Sequence, residues 1–190
     1  MKPKDDEKLE AIAKATFAIV EEIGLSGLTM AHIARVAGIA TGTLYVYYSS
    51  KEALINDLYR KSKTAAASRL LEGFDANLPF RSRARILWRN AMKDRLDRYA
   101  EAIFQQQYFN SQWYSESDRA SSSNLTKEWH NFIEEGKNQE ILKNAPSSLM
   151  SAVFMGSIRE TADLMRRKAI KTDEETLDAA FALCWDAIKA

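Results

Sequence analysis

The 190-residue sequence holds one cysteine, three prolines, seven glycines and two histidines. A lone Cys184 closes no internal disulfide, and with only His32 and His130 to join it the donors of a structural zinc site are missing, so no metal is expected. So few prolines and glycines disfavour a turn-rich β architecture. Charge of one sign is missing too: 27 basic residues face 26 acidic ones, a net charge of +1, and composition alone announces neither a polyanionic nor a membrane partner. No apolar run is long enough for a bilayer span or a signal peptide, and the first eight residues are mostly charged. The expectation is a cytoplasmic protein in a reducing compartment, with no membrane partner. The histidines lie far apart, Cys184 falls on an apolar stripe, and no glycine-rich phosphate loop or paired-carboxylate motif stands out. No catalytic residue, no cofactor and no enzymatic activity are expected.

What is present is helix-forming and amphipathic. Hydrophobic residues make up 46% and charged residues 28%, enough for a packed core and without the composition of a disordered chain. Leu9, Ile12, Ala13, Thr16, Phe17, Val20 and Ile23 recur at three- and four-residue steps, which predicts a helix ended at Gly24. Thr29 is placed to cap a short helix with Met30, Ile33, Ala34 and Ala37 on one face. Gly38 breaks it, and a third segment follows at once over Thr41–Tyr48, with Leu44 and Tyr48 on one face. Two short helices about a tight glycine turn predict a helix-turn-helix. Ser49 and Glu52 predict a capping box for a long fourth helix running to Gly73, with a break between modules over 73–79. Residues 80–109 read as helix, 111–124 as a serine-rich polar loop, and about 125–136 as a helix ended by Gly136. Pro146 opens another helix, and Thr172 with Glu175 predicts the capping box of the last one. The fold class is all-α, a three-helix module over 1–52 joined to a larger helical domain over 53–190.

One stretch is far more specific than the rest. From Thr29 to Leu54 the sequence carries paired Ile33-Ala34, the turn glycine Gly38, Gly42-Thr43-Leu44-Tyr45, the aromatic Tyr48, and Ser50-Lys51-Glu52 followed by Leu54. At these spacings it resembles the DNA-binding signature of the tetracycline-repressor (TetR) family of regulators. The motif covers the first quarter to third of the chain, and the helical remainder agrees with the family in character and length. The resemblance implies a helix-turn-helix DNA-binding domain at 1–52 and a ligand-binding and dimerisation domain at 53–190. It implies a homodimer that binds a palindromic double-stranded DNA operator, most often as a repressor, and is released by a small-molecule effector.

Residue chemistry agrees with that implication. Thr41, Gly42 and Thr43 place small and hydroxyl-bearing groups where the third helix must approach the groove. Tyr45 and Tyr47 offer an aromatic body for sugar or a thymine methyl and a hydroxyl for a phosphate, while Val46, which makes only apolar contact, suits a thymine methyl. Lys51 and Thr29, at helix starts, are placed for phosphates. Taken singly, Tyr45 and Tyr47 would also suit a core and Lys51 a solvated surface; the shared spacing makes them DNA contacts. Tyr48, on the face of Leu44, reads as core. The family commonly has serine or threonine where Ala40 stands and often a lysine or arginine where Thr41 stands, so one helix cap and one phosphate contact are expected to be missing. Lys2, Lys4, Lys8, Lys14, Arg35 and Lys51 are matched by Asp5, Asp6, Glu7, Glu10, Glu21 and Glu22. With no net attraction, binding is expected to be modest per subunit and to depend on dimerisation. The same balance leaves open a second reading, a helical ligand- or protein-binding module that no longer reads DNA.

In the larger domain, the apolar pattern of Pro146–Ala169 predicts burial on two faces. Leu177, Phe181, Cys184 and Ile188, with Trp185 beside them, form a stripe suited to packing across a two-fold axis, or to the core of a monomer. Trp88, Met92, Phe104, Tyr108 and Trp113 are the candidate effector-pocket residues, since aromatic and sulfur-bearing side chains line cavities for flat or greasy ligands; at helical spacing they suit a core as well. Between 81 and 98, seven basic residues stand against two acidic ones, suiting an anionic ligand, further phosphates or a solvated helix face.

Overall fold

In the computed structural model, residues 3–118 and 127–190 are described. Their helices are α1 (Pro3–Ile23), a 3-10 turn (Leu25–Gly27), α2 (Met30–Val36), α3 (Thr41–Tyr47), α4 (Lys51–Leu70), α5 (Phe80–Asp97), α6 (Tyr99–Phe109), α7 (Lys127–Asn138), α8 (Ser147–Arg166) and α9 (Glu174–Ile188). Among the described residues there is no strand; an isolated antiparallel bridge pairs Leu142 with Lys189. No helix among them is long and apolar enough to cross a membrane.

Contacts divide the chain into two compact units, the described residues of Met1–Ala65 with Arg98–Ser122, and those of Ala66–Asp97 with Ser123–Ala190. The first unit is therefore not a contiguous stretch. α6 packs with the N-terminal helices, although the expected division at 52/53 would assign it to the larger domain. Ile12, Ile19 and Val20 on α1 are buried with Ile33 and Ala34 on α2, Leu44 on α3, Leu54, Ile55 and Leu58 on α4, and Phe104 and Tyr108 on α6. Each fully buried side chain of this kind contributes about 1.5–3 kcal/mol. Gln107 on α6 ties the end of α1, its Oε1 accepting from the Leu25 amide at 2.7 Å. Gly24 there has φ +78° and ψ 164°, a positive-φ extended conformation that glycine adopts freely, and the chain leaves the helix at that point.

The second unit is built on α5, whose Phe80, Ala84, Leu87, Trp88 and Met92 are buried against Met150, Phe154, Ile158 and Ala162 of α8 and Phe181, Cys184, Trp185 and Ile188 of α9. The polar edges of α5 are tied by ions. Arg83 makes a two-bond fork to Glu135 on α7, at 2.9 and 2.5 Å, Arg85 reaches Asp178 at 2.5 Å, Arg89 pairs with Glu174, and Arg95 reaches Asp163 at 3.2 Å. The excess of positive charge read along this helix is thus met by carboxylates of α7, α8 and α9, which sequence proximity does not reveal.

Several boundaries differ from the periodicity, each for a local reason. The helix expected over 80–109 breaks at Arg98 (φ −126°, ψ 42°), between α5 in one unit and α6 in the other. The cap of α4 is Ser50, not Ser49: its Oγ accepts from the Ala53 amide at 3.1 Å. α4 itself stops at Leu70, before Gly73. The cap of α9 is Asp173, not Thr172, accepting from the Thr176 amide at 2.9 Å. Gly136 lies inside α7 and is there for space: a Cβ would meet Phe80 Cζ at 2.5 Å and Leu142 at 2.7 Å. Residues 119–124 of the expected loop and 125–126 of the expected helix lie outside the described residues. On α8, Met150, Phe154 and Ile158 are buried, whereas Leu149 and Val153 are exposed, so in the single chain one face is covered. The stripe on α9 faces the chain's own core, and the large apolar side chain of Leu183 is exposed.

Candidate nucleic-acid interface

The helix-turn-helix is assembled from α2, a turn at Gly38 (φ +69°) and α3. Thr29 caps α2 by accepting from the His32 amide at 3.2 Å. In the turn the Ile39 amide donates to the Ala34 carbonyl at 3.0 Å, which closes α2 and sets the start of α3. Ala40 at the head of α3 provides no side-chain cap, as its methyl group dictates.

α3 is pinned by two residues on its inner side. Leu44 is fully buried, and Tyr48, just past its end, is buried with its hydroxyl donating to Asp57 at 2.7 Å. Burial first, then the hydrogen bond to Asp57, raises the Tyr48 phenol far above its ordinary pKa. The outer side is left bare. Thr41 and Gly42 are exposed, Thr43 is half-buried, Tyr45 is 52% exposed and Val46 82% exposed. A Cβ on Gly42 would meet nothing within 4 Å, so this position is open to a close approach. No residue of α3 is charged.

Two of the sequence candidates are engaged within the unit. The half-buried Tyr47 donates its hydroxyl to Asp5 of α1 at 2.9 Å, which raises its pKa. Lys51, at the start of α4, has its Nζ 5.1 Å from the centroid of the Trp113 ring. Thr29, Thr41, Gly42, Thr43, Tyr45, Val46, Tyr47 and Lys51 thus belong to one unit, with Tyr45 and Val46 the most exposed apolar surface of α3.

The five pocket candidates fall into two separate cores. Phe104 and Tyr108 are fully buried in the first unit, with Trp113 packed against them, whereas Trp88 and Met92 are buried in the second. Trp88 donates its indole N–H to Ser157 Oγ at 3.0 Å. Two clefts of the second unit, about 400 Å³ beside Arg81, Ser82, Arg85, Asp178 and Phe181 and about 460 Å³ beside Met165 and Lys168–Thr172, are lined by neither of them.

Sequence reasoning missed Asp118. It is fully buried at the edge of the serine-rich stretch, where it takes Arg60 Nε at 2.9 Å, the Tyr108 hydroxyl at 2.9 Å and Ser115 Oγ at 2.6 Å. Burial alone would raise its pKa, but the hydrogen bonds from Ser115, Arg60 and Tyr108 outweigh it and hold the carboxyl down at about 2. Ser115-x-x-Asp118 has the spacing of a local cap, the available signal; Arg60 lies 58 positions away and leaves none.

The comparisons with known proteins agree with this geometry. A family profile described as "Tetracyclin repressor-like, C-terminal domain" matches residues 79–189, and one described as "Bacterial regulatory proteins, tetR family" matches residues 12–58. An uncharacterized HTH-type transcriptional regulator of Haemophilus influenzae is 31% identical over 81 residues, 43% of each chain. BetI of Proteus mirabilis, an HTH-type transcriptional regulator, is 25% identical over 189 residues, 93% of each chain. The chain spans less than half the length of the first curated relatives it matches. In fold it is similar to a TetR family transcription regulator of Marinobacter aquaeolei, with a TM-score of 0.92 at 24% identity over 100% of this chain and 99% of that one. A TetR-family regulator of Haemophilus influenzae gives 0.79 at 21% identity over 100% of both. With more than half of its length matched by the C-terminal profile alone, and its helix-turn-helix by the other, the chain belongs to the tetracycline-repressor family of bacterial regulatory proteins.

Proposed function

We propose that the protein is a cytoplasmic transcriptional repressor that binds a palindromic DNA operator as a homodimer and is released by a small molecule. The observation that carries this reading is the outer side of α3: Tyr45 and Val46 stand exposed beside an unobstructed Gly42, while Leu44 and Tyr48 fix the helix from behind. A helix held this way presents its surface to a major groove without cost to the fold. Thr29, Thr41, Thr43, Tyr45, Val46 and Lys51 are the proposed contacts, joined by Tyr47 if a phosphate displaces Asp5 from its hydroxyl.

Exposed Leu149 and Val153 on α8 and Leu183 on α9 support the dimer, since apolar side chains left outside a finished core suit a second copy. The effector reading rests on Trp88 and Met92 in the second core, where a flat apolar molecule would have to part α5 from α8. Release then follows if the effector favours a dimer whose recognition helices no longer match the operator spacing.

The test is enrichment of bound fragments from genomic DNA, followed by anisotropy titration of the enriched fragment with wild type and the double variant Gly42→Glu, Tyr45→Ala. The geometry leaves room for both changes, so the variant is expected to keep its helicity and lose the complex. A variant that binds as tightly as wild type overturns the reading. A wild type that enriches nothing favours a helical binding module that no longer reads DNA, the alternative motivated by an uncharged α3 and a Tyr47 hydroxyl held by Asp5.

A further inference from the structure

Lys51 poses a physical problem that its surroundings answer. A lysine on a flexible four-carbon stem is a poorly placed point charge, and α3 supplies no other cation. Lys14, Arg60 and Lys61 of this unit are held in ion pairs, whereas the Lys51 ammonium stands 5.1 Å from the centroid of the Trp113 ring. An indole face is the best aromatic partner for a cation, and it leaves the other ammonium hydrogens free.

The Trp113 backbone is held in place. The Trp113 carbonyl lies 3.0 Å from the Tyr108 hydroxyl, and its amide donates to Ser111 Oγ at 3.3 Å. Tyr108 is fully buried and stacked on Tyr59 of α4, with ring centroids 4.3 Å apart. Its hydroxyl has one proton and three acceptors within reach, the Trp113 carbonyl, Asp118 at 2.9 Å and Asn56 of α4 at 2.8 Å. Asp118 is in turn gripped by Arg60 of α4 at 2.9 Å. The chain of interactions closes on itself: α4 holds the 111–118 segment directly through Arg60 and, by way of Tyr108 of α6, through Asn56 and Tyr59, and that segment returns an indole to Lys51 at the head of the same helix.

We propose that Trp113 is a positioning residue for a phosphate contact by Lys51. The indole holds the ammonium at the start of α4, and the 111–118 segment, outside the helix-turn-helix, thereby sets the affinity for the DNA backbone. This rests on the DNA-binding reading with Lys51 at a phosphate. A lysine at the DNA backbone carries no base information, so removing it weakens all sequences alike and lowers the salt dependence.

The test is anisotropy titration of the full chain on its enriched fragment over a salt series, for wild type, K51A, W113L, W113F and K51A/W113L, with the unfolding midpoint of each. Leucine keeps apolar bulk in a half-buried place, and phenylalanine keeps a π face. Taking one lysine away from a phosphate should reduce the slope of log K against log salt by about 0.9. In the dimer K51A removes one such contact from each protomer and is expected to reduce the slope by about 1.8, and W113L by part of that, with severalfold weaker binding at low salt and unchanged sequence preference. W113F should restore most of the affinity, and W113L should add nothing in the K51A background. W113L binding like wild type or like W113F, or weakening K51A as much as it weakens wild type, overturns the proposal while DNA binding stands. A wild type that enriches no fragment overturns the DNA-binding reading and this inference with it.

Discussion

Val46 is 82% exposed on a helix without charge, and a valine can read little in a major groove except the methyl group that distinguishes thymine. Replacing single thymines of the operator by deoxyuridine removes that methyl and nothing else. At the base beneath Val46 the wild type should lose about fourfold in affinity, as about 0.8 kcal/mol per buried methyl requires, and Val46→Ala should lose the discrimination. Equal affinities for both bases at every position would refute the contact. Ala40 has the extended backbone of a cap (φ −67°, ψ 143°) and no side chain to act as one. Ala40→Ser is therefore expected to stabilise the protein by about 0.5–1 kcal/mol in urea unfolding. Gly136 is the opposite case, since its place against Phe80 and Leu142 has no room for a methyl. Overpacking there should exceed the gain in helix propensity, so Gly136→Ala should lower stability by about 1–2 kcal/mol in the same measurement.

Elements are joined by buried charge as much as by apolar faces. Asp118 binds the 111–118 segment to α4 and α6, and its carboxyl, at about 2, lies below the ordinary value of about 3.9. A group whose pKa is depressed by folding stabilises fully above its unfolded pKa and loses that contribution as pH falls through its folded one. The window is thus from about pH 4 down to about pH 2, where the unfolded chain binds the proton first. Asp118→Asn should cost about 1–3 kcal/mol at neutral pH, because its charge-assisted bonds disappear. It should also flatten the fall in stability over that window; a wild type and variant with parallel acid profiles would contradict the assignment. In the second unit Arg83, Arg85, Arg89 and Arg95 tie α5 to α7, α8 and α9, with the Arg83 and Arg95 side chains largely buried and the Arg85 pair half exposed.

For the molecule as a whole, the proposed dimer rests on apolar residues left outside both cores. Leu183 is 74% exposed on α9, and Leu149 is 55% exposed on α8. Leu183→Lys should leave the helix content intact and turn a dimer into a monomer in sedimentation, with operator affinity falling in parallel. Wild type sedimenting as a monomer at micromolar concentration would end the dimer reading. The two half-sites of the operator should lie about 34–36 Å apart or a multiple of it.

Helical periodicity, the glycine turn and the spacing from Thr29 to Leu54 were enough to specify an all-α chain, a helix-turn-helix and its family, because these depend on residues within a few turns of one another. The missing cap at Ala40 and the inward place of Tyr48 were legible for the same reason. Caps displaced by one residue, Ser50 for Ser49 and Asp173 for Thr172, were not, since adjacent polar residues offer the same chemistry and only the helix start chooses between them. The tertiary structure alone decided that α6 joins the N-terminal helices, that Phe104 and Trp88 belong to different cores, and that Asp118 meets Arg60. Such pairings join residues far apart in the chain, and they are selected by shape and by the need to satisfy buried charge, neither of which leaves a period in the sequence.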